Sequence, residues 1–555
     1  MKNHRITKLK RYWHTIRYLR PIQIYGRLKL YIKKTSIDLS PKFDLNDILY
    51  EWTEAIRNKK SMTNKSTFVF LNEPGYIQSS DDWNEGTHSK LWFYNLHYFD
   101  DLCANNSHQR NDWHREMIEK WITDNPVGVG IGWDPYPLSR RIVNIIKWSL
   151  AGNNLEKHWN ESLLFQTRYL EKNIEIHIMG NHLFSNAKAL YFAGLYFSGK
   201  EANRWRKKGE NIIRRELREQ ILKDGGNFEL STMYHSIFLV DLLDIYNISR
   251  TFKKKLHLKI KDYIFQMYKW MKVMVHPDKE ISFFNDAALC IAPSPDEITK
   301  YCKRLLGPKI FDELDSEINS KNLIELSESG YTKICTGKIS IILDRASIGP
   351  DYLPGHAHAD TLSFELSHEQ QRVIVNSGTS VYQDEKRRHI ERSTSSHSTI
   401  EIDSKSSSQI WGNFRVAKRA KIINSHTEKN DKLIKVSGCH DGYKRIGGSP
   451  IHCREWLIVG NTLTITDRIS GTGIHSIKNI LPLHPAIKVN QKSQNKVALE
   501  YKGNNILSIE FGDHGHLEVQ NSLYNPEFGL SIGNKKILYS YLTKLPIKTY
   551  TRISW

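Results

Sequence analysis

Hydrophobic positions along the chain follow two regimes. From roughly residue 90 to 325 they recur at helical spacing. In NHLFSNAKALYFAGLYFSG, Leu183, Ala187, Leu190, Gly194 and Phe197 return at intervals of four and three. In STMYHSIFLVDLLDIYNI, Leu239, Leu242, Leu243 and Tyr246 do the same, with Ser231 or Thr232 placed to cap the helix. Such segments, joined by short polar turns, predict helical hairpins around a shared core. After about residue 330 the period falls to two: Leu362, Phe364 and Leu366 alternate, as do Val373 and Val375, then Ile400 and Ile402. LIVGNTLTIT sets Gly460-Asn461 between two strand-like runs, a hairpin signal. The run of short strands that follows predicts a large antiparallel β-sandwich, with a boundary near residues 325–332.

The chain thus divides into a basic N-terminal helical segment (1–85), a helical domain (86–327) and a sheet domain (328–555). In the first, Tyr12, Ile16, Leu19 and Ile22 keep helical spacing among many cations. This predicts one amphipathic helix, docked on the body or on anionic lipid. The segment has neither the continuous apolar run nor the small-residue cleavage site of a secretory signal.

Composition narrows the classes. The 555 residues suffice for a large buried core, and Trp 14, Tyr 26 and Phe 20 exclude a disordered or low-complexity chain. No apolar run reaches the length of a membrane-spanning helix. Lys+Arg 80 against Asp+Glu 60 gives +20, which favours a polyanionic partner: acidic polysaccharide, nucleic acid or anionic membrane. No zinc-finger, RRM or helix-turn-helix pattern accompanies the charge, so no specific nucleic acid is expected. The six cysteines are scattered without a CxxC and read as reduced, mostly buried thiols.

The densest chemical signal is PGHAHADTLSFEL, with His356, His358 and Asp360 at alternate positions. In an extended segment these share one face, as a metal site or a charge-neutralising one. Asn181-His182 opens one predicted helix and Tyr234-His235 another, while DGGNFELS puts Glu229 on a Gly-rich turn. Helix starts in a hairpin array gather at one end, so these groups together would build a polar cleft. WDPYPLSRR adds Trp133, Tyr136, Arg140 and Arg141, residue types suited to sugar stacking and to pairing with carboxylate or sulfate. GVGIGW just before it lacks the Lys-Ser/Thr of a phosphate loop.

Taken in order, Asn181-His182-Leu183 with Asn186-Ala187-Lys188, DGGNFELSTMYH, PGHAHADTLSFEL, VIVNSGT and STSSHSTIEID resemble the heparinase II/III family of polysaccharide lyases. YNLHYFDDL (94–102) and WDPYPLSRRIVN are similar to stretches of the same family, and the likeness runs from about residue 90 to 420. It implies an incomplete (α/α) toroid followed by an antiparallel β-sandwich, acting by β-elimination on an acidic, uronate-containing polysaccharide. Members are often periplasmic, whereas this chain shows no cleavable signal, so location stays open.

The resemblance implies that Asn181 and His356 neutralise the uronate carboxylate, that Tyr234 is general base and acid, and that His182 assists. Glu229 would line the subsites, with Trp133, Tyr136, Arg140, Arg141 and His235 as further substrate contacts. Hydrogen bonds to the carboxylate stabilise the enolate formed when the C5 proton leaves. A tyrosine whose pKa is lowered by cations can take that proton and protonate the 4-linked oxygen. No cofactor is needed for this chemistry. The family pattern also implies a structural metal, often zinc, at His358, position 376 and His397. This chain departs there: Asn376 stands where the pattern has Asp, and a neutral amide is a poorer zinc ligand. Two other readings remain: glycoside hydrolysis by Glu229 with Asp134, and non-catalytic polysaccharide binding, which would dispense with Tyr234.

Overall fold

The computed structural model describes residues 2–32, 35–254, 259–512 and 514–555. The N-terminal segment forms two helices, α1 (Lys2–Ile16) and α2 (Pro21–Ile32), where the spacing predicts one. Pro21 imposes the break, because it lacks the N–H that would continue the ladder and disfavours helical backbone at the residue before it. The four apolar positions therefore do not form one docked stripe, and Ile16 and Ile22 are 49% and 42% exposed.

The helical region follows as α3 (Lys90–Tyr98), α4 (Asn111–Asp124), α5 (Pro135–Leu150), α6 (Lys157–Lys172), α7 (Gly180–Tyr196), α8 (Gly199–Gln220), α9 (Thr232–Thr251), α10 (Ile260–Val273), α11 (Pro295–Leu306) and α12 (Lys309–Asn319). Every residue of α7 from Leu183 to Tyr196 is buried, which is why its sequence carries no polar face. Gly194 and Gly209 let α7 and α8 cross closely: a Cβ on Gly194 would sit 2.4 Å from the Arg206 nitrogen, and one on Gly209 2.7 Å from the Ala187 oxygen. Lys188, midway along α7, spends its charge on Asp241 and Asp244 of α9, each at 2.7 Å.

After a two-stranded antiparallel hairpin (Thr67–Phe70 with Glu73–Tyr76), the main run of strands begins at Leu323, four residues past α12. Among the described residues they form open antiparallel sheets of five, eight and four strands and a two-stranded ribbon (Ile410–Trp411 with Arg415–Val416), none of which closes into a barrel. Phe364 and Leu366 of the five-stranded sheet share one apolar core with Trp456 and Ile465 of the eight-stranded sheet and Ile477 and Ile537 of the four-stranded one. The Gly460-Asn461 turn forms as expected: Val459 pairs with Thr462, and Gly460 takes a φ of +54°. The cysteines require a correction. Cys439 and Cys453 lie directly opposite one another on adjacent strands and are joined by a disulfide, a pairing hidden in the linear spacing.

The strand Phe364–His368 is buried on both faces. Its polar residues point at the segment after α10: His276 bonds Glu365 through Nε2 at 3.0 Å and Ser367 through Nδ1 at 2.8 Å. Phe283 N–H donates to the same Glu365 carboxylate at 2.9 Å, and Arg372 pairs with Asp278 at 2.6 Å. This polar seam fixes the helical region on the sheets and brings residues 281–288 beneath the loop that carries His356.

Candidate active site

The chain enters α7 through two residues with left-handed backbone, Met179 at φ +68° and Gly180 at φ +54°. A Cβ on Gly180 would lie 2.4 Å from the Leu353 side chain and 3.3 Å from Glu229 Oε1, so glycine is what lets the 353 loop and Glu229 approach. Asn181 and His182 follow in the first turn of α7, both half-buried. At the start of α9, Ser231 Oγ accepts from Tyr234 N–H at 3.2 Å, the cap anticipated from sequence. Just before it, Glu229 N–H donates to Asn227 Oδ1 at 3.0 Å and Leu230 adopts φ +59°, a tight turn that aims the Glu229 side chain inward.

These elements converge. The Tyr234 ring packs on the His356 ring with centroids 4.0 Å apart. His356 Nε2 lies 3.7 Å from Glu229 Oε2. On the α7 side, His182 Nδ1 is bonded to Glu175 Oε1 at 3.0 Å and its ring meets Tyr136 at 4.5 Å. Asn181 makes no side-chain hydrogen bond with the described residues. His182, Glu229 and His356 keep only 26%, 2% and 16% side-chain exposure.

Three partners escape the sequence reading. Tyr382 Oη shares a 2.9 Å hydrogen bond with Tyr234 Oη. Asp286 is fully buried and binds both histidines, His356 Nδ1 through Oδ2 and His358 Nε2 through Oδ1, each at 2.8 Å. Arg388, on α13 (Glu385–Arg392), holds Asp286 with both terminal nitrogens, the Nη2 bond being 2.6 Å, and its guanidinium covers the Tyr382 ring. A signal for Asp286 does exist in the sequence: it is the lone charge in ISFFNDAALC, and a buried charge must be paired.

The electrostatics follow from these contacts. Burial opposes ionisation of Asp286, but Arg388 and the two histidines outweigh it and hold the carboxyl well below its usual range. Glu229 moves the other way: burial raises it against the pull of His356 and His182, and neither of its oxygens has a hydrogen-bond partner. His182 would be lowered by burial, yet the Glu175 carboxylate raises it overall. Burial, Tyr382 and Asp286 push the Tyr234 phenol well above its ordinary value. The expectation that cations lower it therefore fails in the ligand-free protein, where Tyr234 is the neutral phenol.

Several predicted contacts are placed elsewhere. Arg141 is fully buried, with its nitrogens on Gln166 Oε1, His97 O and Gly132 O, and its guanidinium 3.7 Å from the Trp121 ring. Trp133 is buried and donates to Asn125 O at 3.3 Å. His235 lies between Asn227 N–H and Met267 O, stacked on Trp270 at 4.2 Å. These three support the fold and offer a ligand nothing. Arg140 keeps partial exposure but is paired with Asp100 at 3.2 Å, and Tyr136, pushed up to about 12 by burial, faces His182. Asp134 is engaged by Tyr94 Oη at 2.7 Å and Lys90 at 2.9 Å. The His356–Asp360 stretch is an irregular loop, so its three side chains do not share a face: Asp360 turns away to accept from Asn285 N–H at 3.1 Å.

His235 and His97 carry a pH prediction. Burial lowers both imidazoles to about 3, from 6.5 in the unfolded chain. Between those values the unfolded chain binds protons that the folded chain refuses, so stability is present above pH 6.5 and is lost as pH falls toward 3. Thermal melts from about pH 7 down to about pH 4 are expected to show a falling Tm, with a shallower slope in His235→Gln.

Among the described residues no three His, Cys, Asp or Glu side chains group as a metal site. The implied set of His358, Asn376 and His397 nevertheless passes a proton count. His397 Nδ1 must donate to Ser393 O at 2.8 Å, because a carbonyl only accepts, and His358 Nε2 donates to the Asp286 carboxylate. The remaining nitrogens, His358 Nδ1 and His397 Nε2, then face each other 3.1 Å apart as bare lone pairs in the neutral imidazoles. Such a contact calls for a proton or a cation between them. Asn376 is buried with both side-chain polar atoms unpaired, and Ser377 N–H bonds Ser396 O at 3.1 Å, which brings its segment alongside His397. These residues fit a cation held by two imidazoles and an amide oxygen.

The profile described as heparinase II/III N-terminus matches residues 104–303, and that described as heparinase II/III-like, C-terminal, matches 319–555. A heparin-sulfate lyase of Bacteroides stercoris is 28% identical over 265 residues, 42% of this chain and 38% of its own length. One of Pedobacter heparinus is 23% identical over 325 residues, 51% of this chain and 46% of its own. The matches thus span less than half of these relatives. Among solved structures, a crystal structure of heparinase III superposes with a TM-score of 0.71 at 18% identity, covering 95% of this chain and 88% of that one. A heparan sulfate lyase mutant from Pedobacter heparinus gives 0.63 at 18% identity, covering 96% and 87%. At such identities these structures speak to the fold alone.

Proposed function

The chain belongs to the heparinase II/III family, and from that premise we propose that it is a polysaccharide lyase cleaving an acidic, uronate-containing polysaccharide by β-elimination. The observation that carries this reading is the meeting of Asn181, His182, Tyr234 and His356 around the buried Glu229. On this reading the helical region is an incomplete (α/α) toroid, the sheets are its β-sandwich, and the cleft lies between them.

Asn181, with its amide free, and His356 through Nε2 would bind the uronate carboxylate and stabilise the enolate as the C5 proton leaves. Asp286 would orient His356 by fixing Nδ1. Tyr234 would take the C5 proton as phenolate and return it to the 4-linked oxygen. Since Tyr234 is a neutral phenol without ligand, its proton must first leave to solvent, and the hydrogen bond from Tyr382 Oη would then steady the phenolate that remains. His182, its pKa raised by the Glu175 carboxylate, would face the same anionic sugar. The C4–O bond breaks as the C4–C5 double bond forms, so the new non-reducing end is unsaturated and no water is consumed.

The test is a panel of acidic polysaccharides followed by the ultraviolet absorbance of the 4,5-unsaturated uronate. Absorbance growing on one polymer supports the reading and identifies the substrate. Released reducing ends without absorbance would replace it with hydrolysis, and binding without either product would replace it with a scaffold role.

His358, Asn376 and His397 would hold a structural divalent cation such as zinc outside the reacting groups, supplying charge between the two imidazoles. Chelator dialysis is then expected to remove the metal and lower the Tm. Asn376→Asp is expected to retain zinc at chelator concentrations that strip the parent, read by metal analysis, because a carboxylate binds zinc more tightly than an amide.

A further inference from the structure

The first 37 residues contain eleven Lys and Arg and no Asp or Glu, so more than half of the chain's net +20 arises before its first acidic residue, Asp38. None of the residues assigned above to the proposed lyase site lies in this segment.

One side of the segment is fastened to the body. The Tyr12 ring meets Trp411 edge-on at 4.9 Å, and Trp411 Nε1 donates to Thr15 Oγ1 at 3.1 Å. Arg20 lies 3.8 Å over the Tyr352 ring, and the buried Gln23 donates to Tyr352 O at 3.3 Å. Gly26 packs so closely on His177 that a Cβ there would be 2.7 Å from that of His177.

The other side is apolar and open. Leu9, Trp13 and Ile16 follow at i, i+4 and i+7 on α1 and are 68%, 66% and 49% exposed. On α2, Ile24, Tyr25 and Leu28 are 45%, 57% and 60% exposed. Lys8, Lys10, Arg17, Arg27 and Lys29 flank them, all exposed. Large side chains concentrated this way are not ordinary surface, since contiguous exposed apolar patches mark sites of interaction.

We propose that α1 and α2 form a docking face for an anionic lipid surface, the apolar side chains entering the headgroup boundary and the cations pairing with lipid phosphates. The charge selects this occupant. An apolar face flanked by five exposed cations complements a negatively charged bilayer, and an amphipathic basic helix with Trp and Leu on its apolar side lies in that interface. Because α1 rests on Trp411, and Phe414 of the same loop packs on His356 and Tyr382 at 6.1 and 5.2 Å, docking would hold the mouth of the cleft close to the membrane. This inference stands apart from the lyase reading and does not depend on turnover.

The experiment is flotation of the 555-residue chain with phosphatidylcholine vesicles, with and without phosphatidylglycerol. Flotation is expected only with phosphatidylglycerol. Lys8→Glu/Lys10→Glu is expected to reduce partitioning about tenfold or more, each cation near such a surface contributing about 1 kcal/mol. Leu9→Gln/Trp13→Gln should reduce it to a similar degree and leave the melting temperature unchanged, because both side chains face water. Absence of flotation with anionic vesicles would overturn the proposal. Flotation unaffected by Leu9→Gln/Trp13→Gln would do the same, reducing it to general charge attraction. Self-association without lipid, abolished by that variant, would assign the face to a second copy of the chain instead.

Discussion

Tyr234→Phe is expected to lower turnover by about a thousandfold, within the range for loss of a positioned general acid–base group, while folding and polymer binding persist. The substitution removes one oxygen. Its ring contact with His356 at 4.0 Å depends on the aromatic face, which phenylalanine retains, and the helix cap at Ser231 uses the backbone N–H of residue 234. The hydroxyl's partner is Tyr382 Oη, itself a hydroxyl able to bond elsewhere. A drop in kcat with little change in KM, at unaltered melting temperature, is the expected signature. Equal losses in kcat and in polymer affinity would instead make Tyr234 a binding residue.

Asp286→Asn is expected to be the most damaging isosteric change in the molecule. The carboxylate is wholly buried and answers a wholly buried Arg388 along with His356 and His358. Removing one member of a buried ion pair costs about 3–5 kcal/mol, because the other is left charged and uncompensated. The same change frees His356 Nδ1, so activity should fall further than stability alone explains. The double variant Asp286→Asn/Arg388→Met separates the two effects. With the orphan charge removed, thermal stability is expected to recover in part while activity stays low. A double variant as unstable as Asp286→Asn alone would show that the ion pair is not the source of the loss.

The helices and strands near the cleft were legible because their apolar periodicity is local. Leu183 to Phe197 and the Gly460-Asn461 hairpin each declare their geometry within a few residues, and Ser231 caps its helix as its position implies. What escaped depends on distant pairing. Cys439 and Cys453 meet only once the hairpin between them folds back, and Asp286 meets His356 across 70 residues. Arg141 and Trp133 misled for the opposite reason. Arg and aromatic residues that suit a sugar also suit a buried cation–π contact, and the arginine's side chain was used for packing. At Pro21 two local signals compete: the apolar spacing runs on at helical intervals across it, while the proline breaks the backbone, and the proline prevails.

Elimination and hydrolysis differ in whether water enters the product, and digestion in oxygen-18 water decides between them. With the polymer that the panel identifies, mass spectrometry of the released oligosaccharides should show unsaturated non-reducing ends, each product pair lacking the mass of one water, and no oxygen-18 beyond the reducing-end exchange of the same oligosaccharides held in oxygen-18 water without enzyme. Saturated products carrying oxygen-18 at the cleaved bond would contradict the assignment of Tyr234, Asn181 and His356 to β-elimination.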